Sequence, residues 1–283
     1  MHIPDGFLSA PVWGALDAAA IASVALVSNK RADTDADAAR IPFLGVMGAF
    51  VFAAQMVNFP VAAGTSGHLL GGALLGIVLG PRIATLVMAA VILLQALILQ
   101  DGGILALGAN ILNMAVAGVW LGYAAYRVCG FNKTFAVFLS GFVSVATTSA
   151  LVLGELYFSG VNLTRGVVWT STVLLLFTGL IEGAITVAVV RAIERMNSGV
   201  VKKAEPLRFA PAAFAVLGLM AVLGIAMASS APDVLETALA VRSTGQGIWS
   251  QRTGAGIGGM LLIFLGCTFA GRFLNRRVKQ GSA

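Results

Sequence analysis

His68–Gly80 reads HLLGGALLGIVLG, and how this stretch is counted decides the fold. It is apolar after the histidine, but its 13 residues fall short of the roughly 20 that a helix needs to cross a hydrocarbon core. It is bracketed by a breaker-rich loop, Asn58–His68, and by Pro81. Around it run apolar stretches at about 11–28, 42–58, 82–99, 105–127, 134–156, 166–194, 210–229 and 255–274, each long enough to span or nearly so. Counting the short stretch as a helix makes nine spans and puts the two ends of the chain on opposite sides. Of the 18 Lys and Arg residues, 15 then fall on one side. These are Lys30, Arg31, Arg40, Arg82, Arg127, Lys133, Arg191, Arg195, Lys202, Lys203, Arg208, Arg272, Arg276, Arg277 and Lys279. Only Arg165, Arg242 and Arg252 fall on the other. That is the positive-inside bias, and leaving the short span out would invert everything after it. The expectation is an all-α polytopic membrane protein with its amino terminus outside and its carboxyl terminus cytoplasmic. It has a seven-helix bundle and two C-terminal transmembrane helices. The polar, basic stretch Arg191–Arg208 marks the boundary, giving domains 1–200 and 201–283.

Composition agrees. With 58% hydrophobic and 11% charged residues and a mean hydropathy of +0.93, no soluble globular interior could take up the apolar surface. The net charge of +6 does not point to nucleic acid, because the basic residues cap helices instead of lining a face. Cys129 and Cys267 read as apolar fillers, not a disulfide framework. Residues 1–10 carry no Lys or Arg, so no cleavable signal peptide is expected, and the terminal amine should stay intact.

The chain has two histidines, His2 and His68. A free Met1 amine, the His2 backbone nitrogen and the His2 imidazole can close a five- and then a six-membered chelate ring on one metal ion. His68 can then take the remaining in-plane position. Imidazole is the commonest side-chain ligand, and planar nitrogen sets suit Ni(II) and Cu(II). The alternative for each histidine is a frayed terminus or a hydrogen-bonded core residue. On the same outer side lie Asn58 and Ser66 in the first loop, Asp101 in the loop Gln100–Gly103, Asn110 and Asn113 just beyond, and Gln55 and Gln95 at helix ends. These could orient the ligand loops or simply tie helices together. Asp17 and Glu182 are ionisable groups within spans, a default sign of function. The stripe Gly45, Ala49, Ala53 permits close helix approach, either within the bundle or against another subunit. Two rival functions remain open. Gly64-Thr65-Ser66-Gly67 matches the GxSG pattern of rhomboid intramembrane serine proteases, and Asp17 with Glu182 could serve a passive or proton-coupled metal carrier.

The blocks MHIPDGFL (1–8), GTSGHLLGG (64–72), LGP (79–81) and QDGGILALGANILNMAV (100–116) resemble the CbiM/NikM family. These are the substrate-binding membrane components of energy-coupling factor transporters for cobalt and nickel. The resemblance covers about residues 1–200. The remainder resembles the two-span N component, with Pro232-Asp233-Val234-Leu235-Glu236 where that family has PDGLE. It implies a non-enzymatic uptake component in the bacterial cytoplasmic membrane. Its planar site is made by Met1, His2 and His68, and Ni2+, or Co2+, is its transported substrate. A transmembrane coupling (T/Q-type) subunit and two ATP-binding subunits are the implied partners, since the chain has no phosphate-cradling glycine loop of its own. Gly45, Ala49 and Ala53 are a candidate docking face for the coupling subunit.

Overall fold

The computed structural model describes residues 2–28, 41–62, 65–129 and 132–196. Met1, the segment 29–40, the last two expected spans and the PDVLE segment lie outside the described residues. Seven helices follow in order: α1 (Ala10–Ser28), α2 (Ile41–Gln55), α3 (Gly72–Leu79), α4 (Pro81–Leu99), α5 (Leu107–Val128), α6 (Lys133–Phe158) and α7 (Arg165–Met196). Five of them are long and apolar enough to cross a membrane; at 1.5 Å per residue even the 19-residue α1 is about 28 Å long. They are helical because a bilayer offers no water to backbone groups, and a helix satisfies its own.

α3 is different. Its eight residues make only about 12 Å. Its amino end is met by Glu182, which lies 17 residues beyond the start of α7 at Arg165, or about 26 Å along that axis. The chain therefore leaves the hairpin without helix, reaches the bundle interior at Leu70–Gly71 and only then coils. At the other end Gly80, with φ 81° and ψ 151°, adopts a conformation open essentially to glycine alone. Pro81 follows at the first position of α4, where its missing N–H costs nothing.

The loop ahead of α3, expected to be irregular, is a β-hairpin. β1 (Asn58–Ala62) pairs antiparallel with β2 (Thr65–His68), Asn58 facing His68, Phe59 facing Gly67 and Pro60 facing Ser66, with an irregularity between Pro60 and Ala62. Two short strands satisfy each other's backbone where no helix can form. Pro60, which has no N–H to give, is tolerated at such an edge.

Two hydrophobic clusters hold the bundle. The larger includes Phe52, Leu70, Leu74, Leu75, Met88, Ile92 and Met114, from α2 to α5. The smaller lies around the amino-terminal segment and joins Ile3 and Leu8 to Ala106, Ala109, Val152 and Leu156. Small residues allow the close crossings. A Cβ on Gly141 of α6 would lie 2.8 Å from the Cα of Gly183 on α7. Gly72 and Gly76, on one face of α3, would meet the carbonyls of Met114 and Val119 on α5. Gly45, Ala49 and Ala53 are likewise buried within the described bundle. Of the two readings of the stripe, packing within the fold is the one this burial favours over a docking face. Among the described residues the helices otherwise lie where expected, with limits within a few residues.

Candidate metal site

The site begins with a strap. Ile3 is fully buried, and its backbone is gripped on both sides. Its N–H donates to Asn110 Oδ1 at 2.8 Å, and its carbonyl accepts from Asn110 Nδ2 at 3.1 Å and from the Gly103 N–H at 2.9 Å. Two residues on, Asp5 accepts from the N–H groups of Ile104 (3.1 Å) and Leu105 (2.8 Å). Asp17 of α1 accepts from the Gly108 N–H at 2.7 Å. These are the orphan donors ahead of and within the first turn of α5, where a carboxylate is favoured. The amino-terminal segment is thereby sewn onto the 103–110 turn, and His2 has no freedom to fray.

His2 and His68 are both buried, at 5% exposure each. Their ring centroids are 5.7 Å apart and their planes only 8° from parallel. An ion held about 2.0 Å from a ring nitrogen sits about 3 Å from that ring's centroid, and the centroid separation here is less than twice that length. His68 ends β2, and its Nδ1 lies 3.0 Å from the Leu69 carbonyl. That bond requires the proton on Nδ1 and leaves the lone pair on Nε2, the usual way a ligand histidine is oriented. His2 Nε2 has no hydrogen-bond partner among the described residues, and its Nδ1 lies 3.3 Å from Asp101 Oδ1, outside hydrogen-bond alignment. A buried ring nitrogen left unsatisfied is uncommon in proteins.

Asp101 stands in the loop between α4 and α5 with its side chain half exposed. Burial of its inner side acts to raise the carboxyl, but the neighbouring His2 imidazole, with His68 beyond, holds it well below the usual carboxylate range. Beside it Gly102 has φ 96°, and a Cβ there would come within 3.0 Å of the His2 Cβ and 3.1 Å of Asn110 Nδ2. The turn closes over His2 only because this residue is glycine.

Among the described residues, no three His, Cys, Asp or Glu side chains converge into a metal cluster. A site here has two imidazoles, with further donors to come from backbone or terminus. Of the residues expected to support it, Asp101 and Asn110 do touch His2 or its neighbour. Asn58 and Ser66 are placed by their backbones on the hairpin, opposite His68 and Pro60, and their side chains lie outside the described residues. Asn113 belongs elsewhere: it donates to Glu155 Oε2 of α6 at 2.7 Å. It lies one turn inward of Asn110, facing a neighbouring helix and not the histidines. Glu155, buried at that contact, escaped the sequence reading, although a carboxylate inside an expected span was the signal. Gln55 and Gln95 reach the segment that follows His68. Gln95 Nε2 donates to Gln55 Oε1 (2.7 Å), and Gln55 Nε2 donates to the Leu70 carbonyl (2.5 Å), two residues past His68. The backbone of Ser66 stands on a β-strand.

Residues 2–200 match the model of a family described as the cobalt uptake substrate-specific transmembrane region, CbiM. A protein of Archaeoglobus fulgidus, provisionally named a fused nickel transport protein, NikMN, is 39% identical over 229 residues, covering 77% of this chain and 74% of that one. The cobalt transport protein CbiM of Sorangium cellulosum is 33% identical over 226 residues, covering 75% of this chain and all of the other. The crystal structure of a truncated transition metal transporter superposes with a TM-score of 0.61 at 29% identity, covering 69% of this chain and 99% of that one. The family and these relatives are transport proteins, not enzymes, which disposes of the protease reading. The strapped terminus, the paired histidines and the half-helix thus stand in a multi-pass membrane protein that belongs to the CbiM family.

Proposed function

We propose that this chain is the metal-binding membrane component of a nickel or cobalt uptake transporter of the energy-coupling factor type. It takes the ion at the extracytoplasmic face and passes it inward when coupled to partner ATPases through a transmembrane coupling subunit. The donors are the Met1 amine, the His2 backbone nitrogen, the His2 imidazole and the His68 imidazole, and the ion is the substrate. The observation that carries this reading is the pairing of His2 and His68, far apart in sequence yet both buried, near parallel and 5.7 Å apart. Ni2+ suits such a set better than Co2+, because it more readily accepts a planar arrangement with an ionised amide. Residues 201–283 act as an N-type module appended to the M-type component 1–200. The proton-coupled carrier is the weaker reading, since Asp17 and Glu182 both accept from backbone N–H groups at helix starts.

The test is a Ni2+ titration of the purified protein with its native amino terminus and with one residue added ahead of Met1, followed by the absorption band of planar Ni2+. The native chain should bind one ion with that band and the extended chain should not. Equal binding by both, or by neither, removes the terminus from the donor set.

A further inference from the structure

The peptide at Leu70, two residues past His68, is held at both ends by side chains from other helices. Its N–H donates to Glu182 Oε2 on α7 at 2.8 Å, and the next N–H, of Gly71, donates to Glu182 Oε1 at 2.8 Å. Its carbonyl accepts from Gln55 on α2, which Gln95 on α4 holds in turn. Glu182 and Gln95 have no exposed surface at all, and Gln55 is 3% exposed. Glu182 therefore lies in the bundle interior with both carboxylate oxygens accepting, one N–H each. It meets the positive end of α3, whose first turn begins at Gly72. Gly71 is pressed so closely on Val51 of α2 that a Cβ there would lie 2.7 Å from Val51 Cγ1, so the segment has nowhere to yield. The close crossing of Gly141 on Gly183 fixes the depth of the adjacent Glu182.

From this we infer that Glu182 is a positioning residue for the substrate site. Its two-pronged grip on Leu70 and Gly71, opposed by Gln55 and Gln95, sets where His68 stands relative to His2. This inference rests on the reading of His2 and His68 as the ion's ligands. The physical reason is geometric. His68 is joined to the clamped peptide by a single residue, Leu69, whose carbonyl also orients its ring. A shift of α7 against α2 and α4 must therefore pull His68 away from His2. Site occupancy and the arrangement of these three helices are then linked reciprocally, as two states of one element. A movement of α7 loosens the ion, and a bound ion resists that movement.

The test uses the full-length protein with Glu182→Gln and, as a control, Thr186→Val. The glutamine keeps the size but offers one acceptor in place of two and presents an amide donor to a backbone donor. Thr186 lies one turn along, buried, and donates only to the Glu182 backbone carbonyl within α7, so its loss weakens the helix without touching the loop. Two quantities are measured: Ni2+ affinity with the planar absorption band at saturation, and amide hydrogen exchange of the segment around Leu70 and Gly71 in the metal-free protein. For Glu182→Gln, exchange should quicken in the 68–72 segment and Ni2+ should bind at least about tenfold more weakly, about 1.4 kcal/mol, with an unchanged band once saturated. Thr186→Val should keep wild-type affinity. The inference is overturned if Glu182→Gln binds Ni2+ as tightly as wild type, whatever the exchange shows, or if both variants lose affinity alike. Failure of the wild type itself to give the planar band would instead sink the metal-site reading, while the exchange result would still report whether Glu182 holds the loop.

Discussion

His2 has a position because Ile3 has one. The reciprocal bonds between Ile3 and Asn110 are made where no water competes, so Asn110→Ala strands the Ile3 N–H in a buried place, at about 1–3 kcal/mol. Thermal unfolding in detergent should register that loss, and Ni2+ affinity should fall by more than about tenfold as the terminus is freed. Gly102→Ala works differently. Its cost is a left-handed φ and a methyl group driven against the His2 Cβ, so calorimetric titration should show weakened metal binding out of proportion to any loss of thermal stability. Acidification should also weaken binding, because the imidazoles must be neutral and the amide must shed a proton. Asp101 is not the cause of that fall. A carboxyl held below its ordinary value gives a stabilisation that is complete above the unfolded value and is lost only as pH drops toward the lower folded one. A loss of affinity between neutral and mildly acidic pH, followed by titration at several pH values, therefore belongs to the nitrogens.

Among the elements, α3 and its two glycine boundaries make a half-helix out of what would otherwise be a failed span. Gly80 has no atom within 4 Å of where a Cβ would stand, so Gly80→Ala costs only conformational strain, about 1–3 kcal/mol. Its thermal midpoint should fall without loss of the planar Ni2+ band. The α6–α7 crossing offers a paired comparison. Gly141→Ala must push α6 off Gly183 and should destabilise clearly in a thermal melt. Gly154→Ala, on the same helix with nothing within 4 Å, should be neutral or slightly stabilising through helix propensity. Equal effects at the two positions would contradict the packing described. The hairpin ahead of α3 could not be read from composition alone. Asn58–His68 shows its breakers plainly, but whether such a segment wanders or pairs with itself depends on where its ends are held, and the Leu70 clamp decides that.

The described residues form a bundle with much of its apolar surface turned outward, as in Ile21, Leu26, Trp169 and Phe177. In a membrane protein that surface meets lipid, not water. At this scale the claim to test is that residues 1–200 form the metal-binding unit. A chain ending there should still bind Ni2+ with the planar band in detergent, and loss of binding would show that 201–283 contributes to the site. Sequence alone determined the helices of the described residues, their order and the two histidines worth watching, because apolar run length and histidine scarcity are properties of composition that survive in one dimension. It also marked Asp17 and Glu182 as ionisable groups within spans without saying what they meet. Only the tertiary structure decided that the small-residue stripe on α2 faces inward, that Asn113 serves Glu155 and not the histidines, and that Glu182 and Gln55 clamp one peptide from opposite sides. The reason is physical: a helix period says which residues share a face, but which neighbour covers that face depends on crossings set by contacts between residues distant along the chain.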